Sequence, residues 1–253
     1  SDLSSPLNIT IDTVIPIAPS FPFSNTSSSI TNDSTPKIAG SSESGSSVKI
    51  YNNSILLGSA VTGSDEVFSI ISSNLNDGDY LLQATATDAA GNISDPSSPL
   101  NITIDTSAPD APIITTSSLI TNDNTPLITG FAEAGSTVKL YSDSTVLGSA
   151  TADSNGAFSI TSSTLSDGTY SLKATATDAA GNISDPSSPL NINIDTSAPD
   201  APTITTSSLI TNENTPLITG VAEAGSTVKL YSDSIFLGSA TADSNGAFSI
   251  TSS

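Results

Sequence analysis

The sequence contains no cysteine, histidine, methionine or tryptophan. Without cysteine, no disulfide can staple the fold and no thiolate can bind a metal. Without histidine, the commonest general base and the commonest transition-metal ligand are both missing. Basic residues are scarce: 5 Lys and Arg stand against 25 Asp and Glu, a formal net charge of −20 over 253 residues. Such a surface repels nucleic acid and anionic membranes, so neither nucleic-acid binding nor membrane insertion is expected. No apolar run approaches the roughly 18 residues a spanning helix needs. The ligands left for a metal are oxygens, which suit calcium or magnesium rather than zinc or iron. High net charge with few aromatics is also a signature of disorder. Against that, hydrophobic residues make up 36% of the chain and charged residues only 12%, and the apolar ones alternate in an orderly way.

What is present above all is repetition. Residues 105–163 recur at 195–253 with five changes: Ile113 to Thr203, Asp123 to Glu213, Phe131 to Val221, Thr145 to Ile235 and Val146 to Phe236. A more divergent copy begins at Asp12, with about three extra residues between Val14 and Ser28, and then runs in register to Asp105. Residues 1–12, SDLSSPLNITID, match 94–105, SDPSSPLNITID, and read as the last strand of a preceding copy. The domains expected are therefore that strand (1–12), a first repeat (13–105), a second (106–195) and a truncated third (196–253). Both ends fall inside repeats, so a longer parent protein is expected. A period of about 90 residues is too long for a solenoid coil and right for an autonomous domain.

Alternation and turn signals divide the second repeat into seven short strands. They are A (Pro112–Thr116), B (Thr125–Ala132), C (Thr137–Ser142), a short D-type strand (Val146–Thr151), E (Ala157–Thr161), F (Thr169–Thr177) and G (Leu190–Ile194). Val138 and Leu140 should point inward with Lys139 outward; Phe158 and Ile160 should face the core, and Leu172, Ala174 and Ala176 should share one face. Turns at Ala134-Gly135-Ser136, Ser154-Asn155-Gly156, Ser166-Asp167-Gly168 and Ala180-Gly181-Asn182 separate them. Seven short strands at this spacing mean an all-β sandwich of the immunoglobulin type. Asp167-Gly168-Thr169-Tyr170 fits a tyrosine corner, in which the hydroxyl bonds back across the E–F turn, with Tyr80 in the same place in the first repeat. Leu172 and Leu82 stand where such domains often carry a cysteine, so packing replaces the disulfide.

The segments IDTSAPDAP, TNDNTPLITG, AEAGSTVKLY, ADSNGAFSI, LSDGTYSLKATATDAAGN and LNINID resemble the bacterial immunoglobulin-like repeats of giant surface adhesins over nearly the whole chain. That resemblance implies an extracellular protein, secreted or held at the bacterial surface. It implies a stalk of domains arranged end to end, commonly rigidified by calcium, that carries a distal binding region. The partners would be neighbouring repeats of the same chain, with any host or surface ligand engaged through other domains.

Acidic residues recur where one domain should meet the next. In an immunoglobulin sandwich the linker from strand G meets the BC and FG loops of the following domain. This would gather Asp105, Glu133 and Asp178 at one junction, and Asp12, Glu43 and Asp88 at the one before; Asp195 and Glu223 begin a third set. Three carboxylates converging on a linker repel one another unless a cation sits among them, and calcium accepts six to eight oxygens in loose geometry. The alternative is that each acid is an ordinary solvated turn residue. Asn122-Asp123-Asn124 and Asp167 belong to the opposite pole; two readings are open, an approach to the linker from the preceding domain's side and, the favoured one, turn capping alone. No nucleophile–base pair and no phosphate-binding glycine loop exists, so the chain is read as not an enzyme. A second functional reading is direct, multivalent binding of a glycan or receptor, for which Tyr51, Tyr141 and Tyr231 supply one aromatic per repeat. Near identity of the second and third copies favours a spacer instead.

Overall fold

A computed structural model of the chain describes residue 5 and residues 7–22, 30–207 and 210–252. Parts of the strand expected in 1–12 and of the long opening segment Val14 to Ser28 lie outside them. Among the described residues every regular element is a strand, and no helix is long and apolar enough to cross a membrane. By its internal contacts the chain divides into two units. One is Ser1–Leu119, Thr125–Leu165 and Thr169–Ile192; the other is Ile120–Asn124, Ser166–Gly168 and Asn193–Ser253.

The first repeat has β1 (Ile30–Thr31), β2 (Lys37–Ser41), β3 (Ser47–Asn52), β4 (Ile55–Val61), β5 (Val67–Ile71), β6 (Gly78–Thr87) and β7 (Leu100–Ile104). One sheet runs β1-β7-β6-β3-β4, and the other pairs β2 with β5 and takes up Ser20 through a bridge to Ser41. The second repeat has β8 (Ile113–Ile114), β9 (Leu119–Thr121), β10 (Leu127–Phe131), β11 (Thr137–Ser142), β12 (Thr145–Thr151), β13 (Ala157–Thr161), β14 (Gly168–Thr177) and β15 (Leu190–Ile194). Its sheets run β13-β10-β8 and β12-β11-β14-β15-β9. The third has β16 (Thr203–Ile204), β17 (Leu217–Val221), β18 (Thr227–Ser232), β19 (Ile235–Thr241) and β20 (Ala247–Thr251).

Period-two alternation places the core as expected. Val138, Leu140, Leu172, Ala174 and Ala176 are fully buried, and Phe158 and Ile160 nearly so, while Lys139 is exposed. Gly130 lies beneath the Phe158 ring: a Cβ there would stand 2.5 Å from Phe158 Cζ and press on the Ile113 carbonyl. The tyrosine corner is present in the first repeat, where the Tyr80 hydroxyl donates to the Asn76 carbonyl at 2.8 Å. In the third repeat the core reduces to Val228, Ala242, Phe248 and Ile250. Leu230, the counterpart of the buried Leu140, is half-buried.

Two strand assignments change. The strand read as D-type at Val146–Thr151 is β12 (Thr145–Thr151), a full hairpin partner of β11 and the edge of the other sheet. A two-residue turn, with Asp143 at φ 52°, returns the chain directly alongside β11. A bulge between Leu140 and Tyr141 then turns Leu147 into the core. Strand A is also broken in two. Thr115 and Thr116 both direct their N–H to the Thr129 carbonyl, at 2.9 and 3.4 Å. The Thr116 hydroxyl accepts the Thr129 N–H at 2.8 Å, so the chain peels from β10 and crosses to form β9 in the other sheet.

The long strands β6 and β14 outrun their neighbours, and serine hydroxyls finish the ladder. The Ala174 N–H donates to Ser187 Oγ and the Ala176 N–H to Ser184 Oγ, both at 2.9 Å. The Ser187 and Ser184 N–H groups return the bond to the carbonyls of Ala174 and Ala176 at 2.8 and 2.9 Å. Ser97 and Ser94 do the same for Ala84 and Ala86. Proline in the SDPSSP segment cannot donate to a ladder, so a hydroxyl in the right place substitutes for a strand. Ser187→Ala should therefore leave the buried Ala174 N–H without an acceptor and destabilise the second repeat by about 1–3 kcal/mol. Urea unfolding and amide exchange at Ala174 read this directly. Ser188→Ala, at the adjacent exposed position, should shift stability by less than about 0.5 kcal/mol.

Candidate functional site

The recurring polar chemistry lies where one repeat passes to the next. At the end of β7 the Asp105 N–H donates to the Thr31 carbonyl at 3.0 Å, which continues the pairing of β7 with β1. The next two residues are held by Asp77, from the turn that opens β6. Asp77 Oδ1 accepts the Thr106 N–H at 2.9 Å and the Thr106 hydroxyl at 2.8 Å, and Oδ2 accepts the Ser107 hydroxyl at 2.9 Å. The same grip recurs after β15: Asp167 takes the Thr196 N–H and hydroxyl at 2.9 and 2.7 Å and the Ser197 hydroxyl at 2.9 Å. Hydrogen bonds from the Thr106 hydroxyl, the Thr106 N–H and the Ser107 hydroxyl hold the Asp77 carboxyl below its ordinary range. The Thr196 hydroxyl, the Thr196 N–H and the Ser197 hydroxyl do the same for Asp167.

The following repeat reaches the linker through its loop after β14. Asp178 Oδ1 accepts the N–H groups of Gly181 and Asn182 at 2.7 and 2.8 Å, and Oδ2 accepts Asn182 Nδ2 at 2.8 Å. The same Asn182 Nδ2 donates to the Asp105 carbonyl at 2.8 Å. Asn182 is buried although it belongs to a loop, and Gly181 lies against Asn32 of the first repeat's opposite pole. In the first repeat Asp88 accepts Ala90 N–H and Asn92 N–H at 2.9 Å, and Asn92 Nδ2 at 2.8 Å. Asn92 Nδ2 reaches the Asp12 carbonyl at 3.2 Å. The Asn92 side chain is the main reason Asp88 stays below its ordinary pKa, against a smaller effect of burial. For Asp178 burial is the largest single influence and pushes upward, but the bonds from Asn182, Gly181 and Ala180 together outweigh it.

The acids singled out from the sequence thus fall into two groups. Asp105 with Asp178, and Asp12 with Asp88, are joined, but through a backbone carbonyl and an asparagine amide rather than carboxylate to carboxylate. The Asp105 and Asp195 carboxylates accept their own Ser107 and Ser197 N–H groups at 3.1 Å, and Asp12 accepts that of Val14 at 3.0 Å. Glu43, Glu133 and Glu223 shape their turns through the backbone, each carbonyl accepting the N–H of Ser46, Ser136 or Ser226; their side chains are exposed. Among the described residues no group of three or more acidic side chains stands close enough to hold a metal ion. In this arrangement the Asp178 oxygens accept N–H groups of Gly181 and Asn182, and the carboxylates of Asp105, Glu133 and Asp178 do not converge on one point. Asp33 caps a turn as expected for that pole, accepting the Thr35 N–H and hydroxyl at 2.8 and 3.0 Å. Asp167 follows the less favoured of the two readings: it grips the linker from the preceding domain's side. The asparagines were visible only as turn formers. The pointer to them was the fixed Asp-x-x-x-Asn spacing in TDAAGN, which occurs at 87–92 and again at 177–182.

A family profile described as a bacterial Ig-like domain matches residues 24–106 and 114–196, and a second, described as a bacterial Ig domain, matches residues 198–253. No curated protein matches the chain. Among solved structures it is similar to the fibronectin(III)-like modules of Clostridium thermocellum CbhA, at 19% identity and TM-score 0.46, over 68% of this chain and 92% of that one. It is also similar to a marsupial T cell receptor, at 8% identity and TM-score 0.46, over 88% of this chain and 89% of that one. A third is the BSP domain of a biofilm associated protein, at 25% identity and TM-score 0.29, over 73% of this chain and 30% of that one.

The Asp77 and Asp167 grips should respond to acid in a defined direction. Their carboxyl pKa values are lowered by folding. The contribution is therefore complete above the ordinary aspartate value of about 3.9 and is lost as pH falls through the lower folded value. Amide resonances of Thr106 and Thr196 should hold their positions from neutral pH down to about 4.5 and titrate with midpoints below about 3.9. Asp77→Asn should abolish the Thr106 titration and leave that of Thr196 intact.

Proposed function

Because the chain belongs to the bacterial Ig-like domain family, we propose that its repeats are spacer modules in the stalk of a bacterial surface adhesin, extending a distal binding region from the cell. The observation that carries this reading is the linker. The same Asp–Thr–Ser grip is made at Asp77 and again at Asp167, so the chain leaves each of the first two repeats in a fixed way. The two prolines of each linker, as in Pro109 and Pro112, with no glycine between them, restrict it further. Two nearly identical copies fit a part whose length is set by copy number. The placement outside the cell and the absence of catalysis follow from the same reading, and the partners are neighbouring repeats.

Direct binding of glycans or receptors has less support. Tyr51 and Tyr141 are half-buried, and Tyr231 lies edge-on to Phe236 at 5.7 Å between ring centroids, so no bare aromatic platform recurs. Calcium at the junctions belongs to the proposal on grounds of charge and family alone. It requires the carboxylates of Asp105, Glu133 and Asp178 to turn toward one ion.

Small-angle scattering tests the spacer reading. At about 35 Å per repeat, the length of a ten-residue strand, three repeats in line give a radius of gyration of roughly 30 Å. A compact chain of this size would give about 18 Å. A value near the lower figure rejects the spacer. For calcium, calorimetry should show binding at millimolar concentration or below that Asp105→Ala weakens; no heat at that concentration removes the ion from the reading.

A further inference from the structure

We infer that Asn182, with Asn92 as its counterpart one repeat earlier, is the key of a metal-free latch that fixes the angle between consecutive repeats. The inference deepens the spacer reading and rests on it. Its centre is the residue pair Asp105–Thr106. The Asp105 N–H is held by Thr31, and the Thr106 N–H by Asp77, both in the first repeat. The Asp105 carbonyl between them is held by Asn182 of the second repeat. Rotation of the linker at this point breaks at least one of these bonds, because a peptide plane cannot turn its carbonyl without turning the N–H attached to it.

The asparagine is suited to this task. Its amide nitrogen carries two hydrogens, and the structure uses it toward two acceptors, Asp178 Oδ2 and the Asp105 carbonyl, both at 2.8 Å. Asp178 aims it: the carboxylate takes the amide on one oxygen and the Asn182 backbone N–H on the other. The charged acceptor polarises the amide and strengthens its hold on the linker. Burial of Asn182 removes competing water. The arrangement is built twice, with Asp88, Asn92 and the Asp12 carbonyl at the earlier junction. Neither copy needs an ion, because each oxygen named already has an N–H or O–H donor.

The joint between the first and second repeats is therefore latched from both sides, by Asp77 from the first repeat and by Asn182 from the second.

The absence of cysteine allows site-specific spin labels on the whole chain. Ser54→Cys and Ser144→Cys place them at equivalent, exposed hairpin turns of the first and second repeats. The distance distribution of the 54/144 pair would be measured by pulsed electron resonance, in chelator and in millimolar calcium. The latch requires a narrow 54/144 distribution in chelator. Asn182→Asp removes the donor and keeps the shape, and should at least double the 54/144 width in chelator. Should that variant melt its loop, seen as loss of the native Ala176 and Ser184 amide resonances, Asp77→Ala loosens the same linker from the other side and should widen the distribution likewise. An unchanged width in the variant that keeps its loop overturns the latch. A 54/144 distribution that is broad in chelator and narrows only with calcium also overturns it, assigning the joint to the ion. The mean separation is a separate reading: a short mean, from repeats folded back on one another, rejects the spacer whatever the width.

Discussion

Every backbone N–H and C=O taken out of water must find a partner, and the strands of these repeats are too short to supply all of them. Side-chain oxygens and amides fill the gaps. A threonine hydroxyl takes the Thr129 N–H where strand A leaves its sheet. Serine hydroxyls take those of Ala174 and Ala176 where β14 runs past β15. Asp77 and Asp167 take over where β7 and β15 end and the chain becomes a linker. The abundance of Ser, Thr, Asp and Asn is thus not only a solvated surface. These residues extend the hydrogen-bond ladders to the ends of each domain and past them, and that continuity makes a junction an ordered place.

The same chemistry explains how a chain of net charge −20 brings acids together at its joints. A carboxylate that accepts two or three N–H or O–H donors has its charge dispersed locally, and its ionised form is favoured. Asp77, Asp88, Asp167 and Asp178 all have lowered pKa values, and each is surrounded by such donors. Backbone amides, threonine and serine hydroxyls, and asparagine ease the repulsion around these four carboxylates. The unpaired acids, Glu43, Glu133 and Glu223, stay out in solvent, where repulsion is screened.

Much of the sandwich was legible in the sequence. The bounds of β11, β13 and β15 match the alternating runs residue for residue, and the inward positions from Val138 to Ala176 are those buried. Alternation reports burial because a strand with one face in the core must place apolar residues two apart. It does not report which sheet a strand joins. The pairing of β12 with β11 was set by a two-residue turn, and the split of strand A by a threonine whose hydroxyl competes with the ladder. The tyrosine corner was readable because it is a local motif, with donor and acceptor four residues apart.

By itself, then, the sequence determined the repeat, its length, the all-β fold and the recurrence of acids near each joint, since all of these are periodic or local. It pointed to Asp105, Glu133 and Asp178 as neighbours, but proximity of loops does not say which atoms face each other. Only the tertiary structure decided that the Asp105 carbonyl, not its carboxylate, meets the next repeat, and that Asn182 is the group that meets it. The physical reason is distance along the chain. Asp105 and Asn182 are 77 residues apart, and Asp77 and Thr106 are 29 apart. Such bonds depend on where the folded chain brings segments distant in sequence, and no local pattern of residues encodes that.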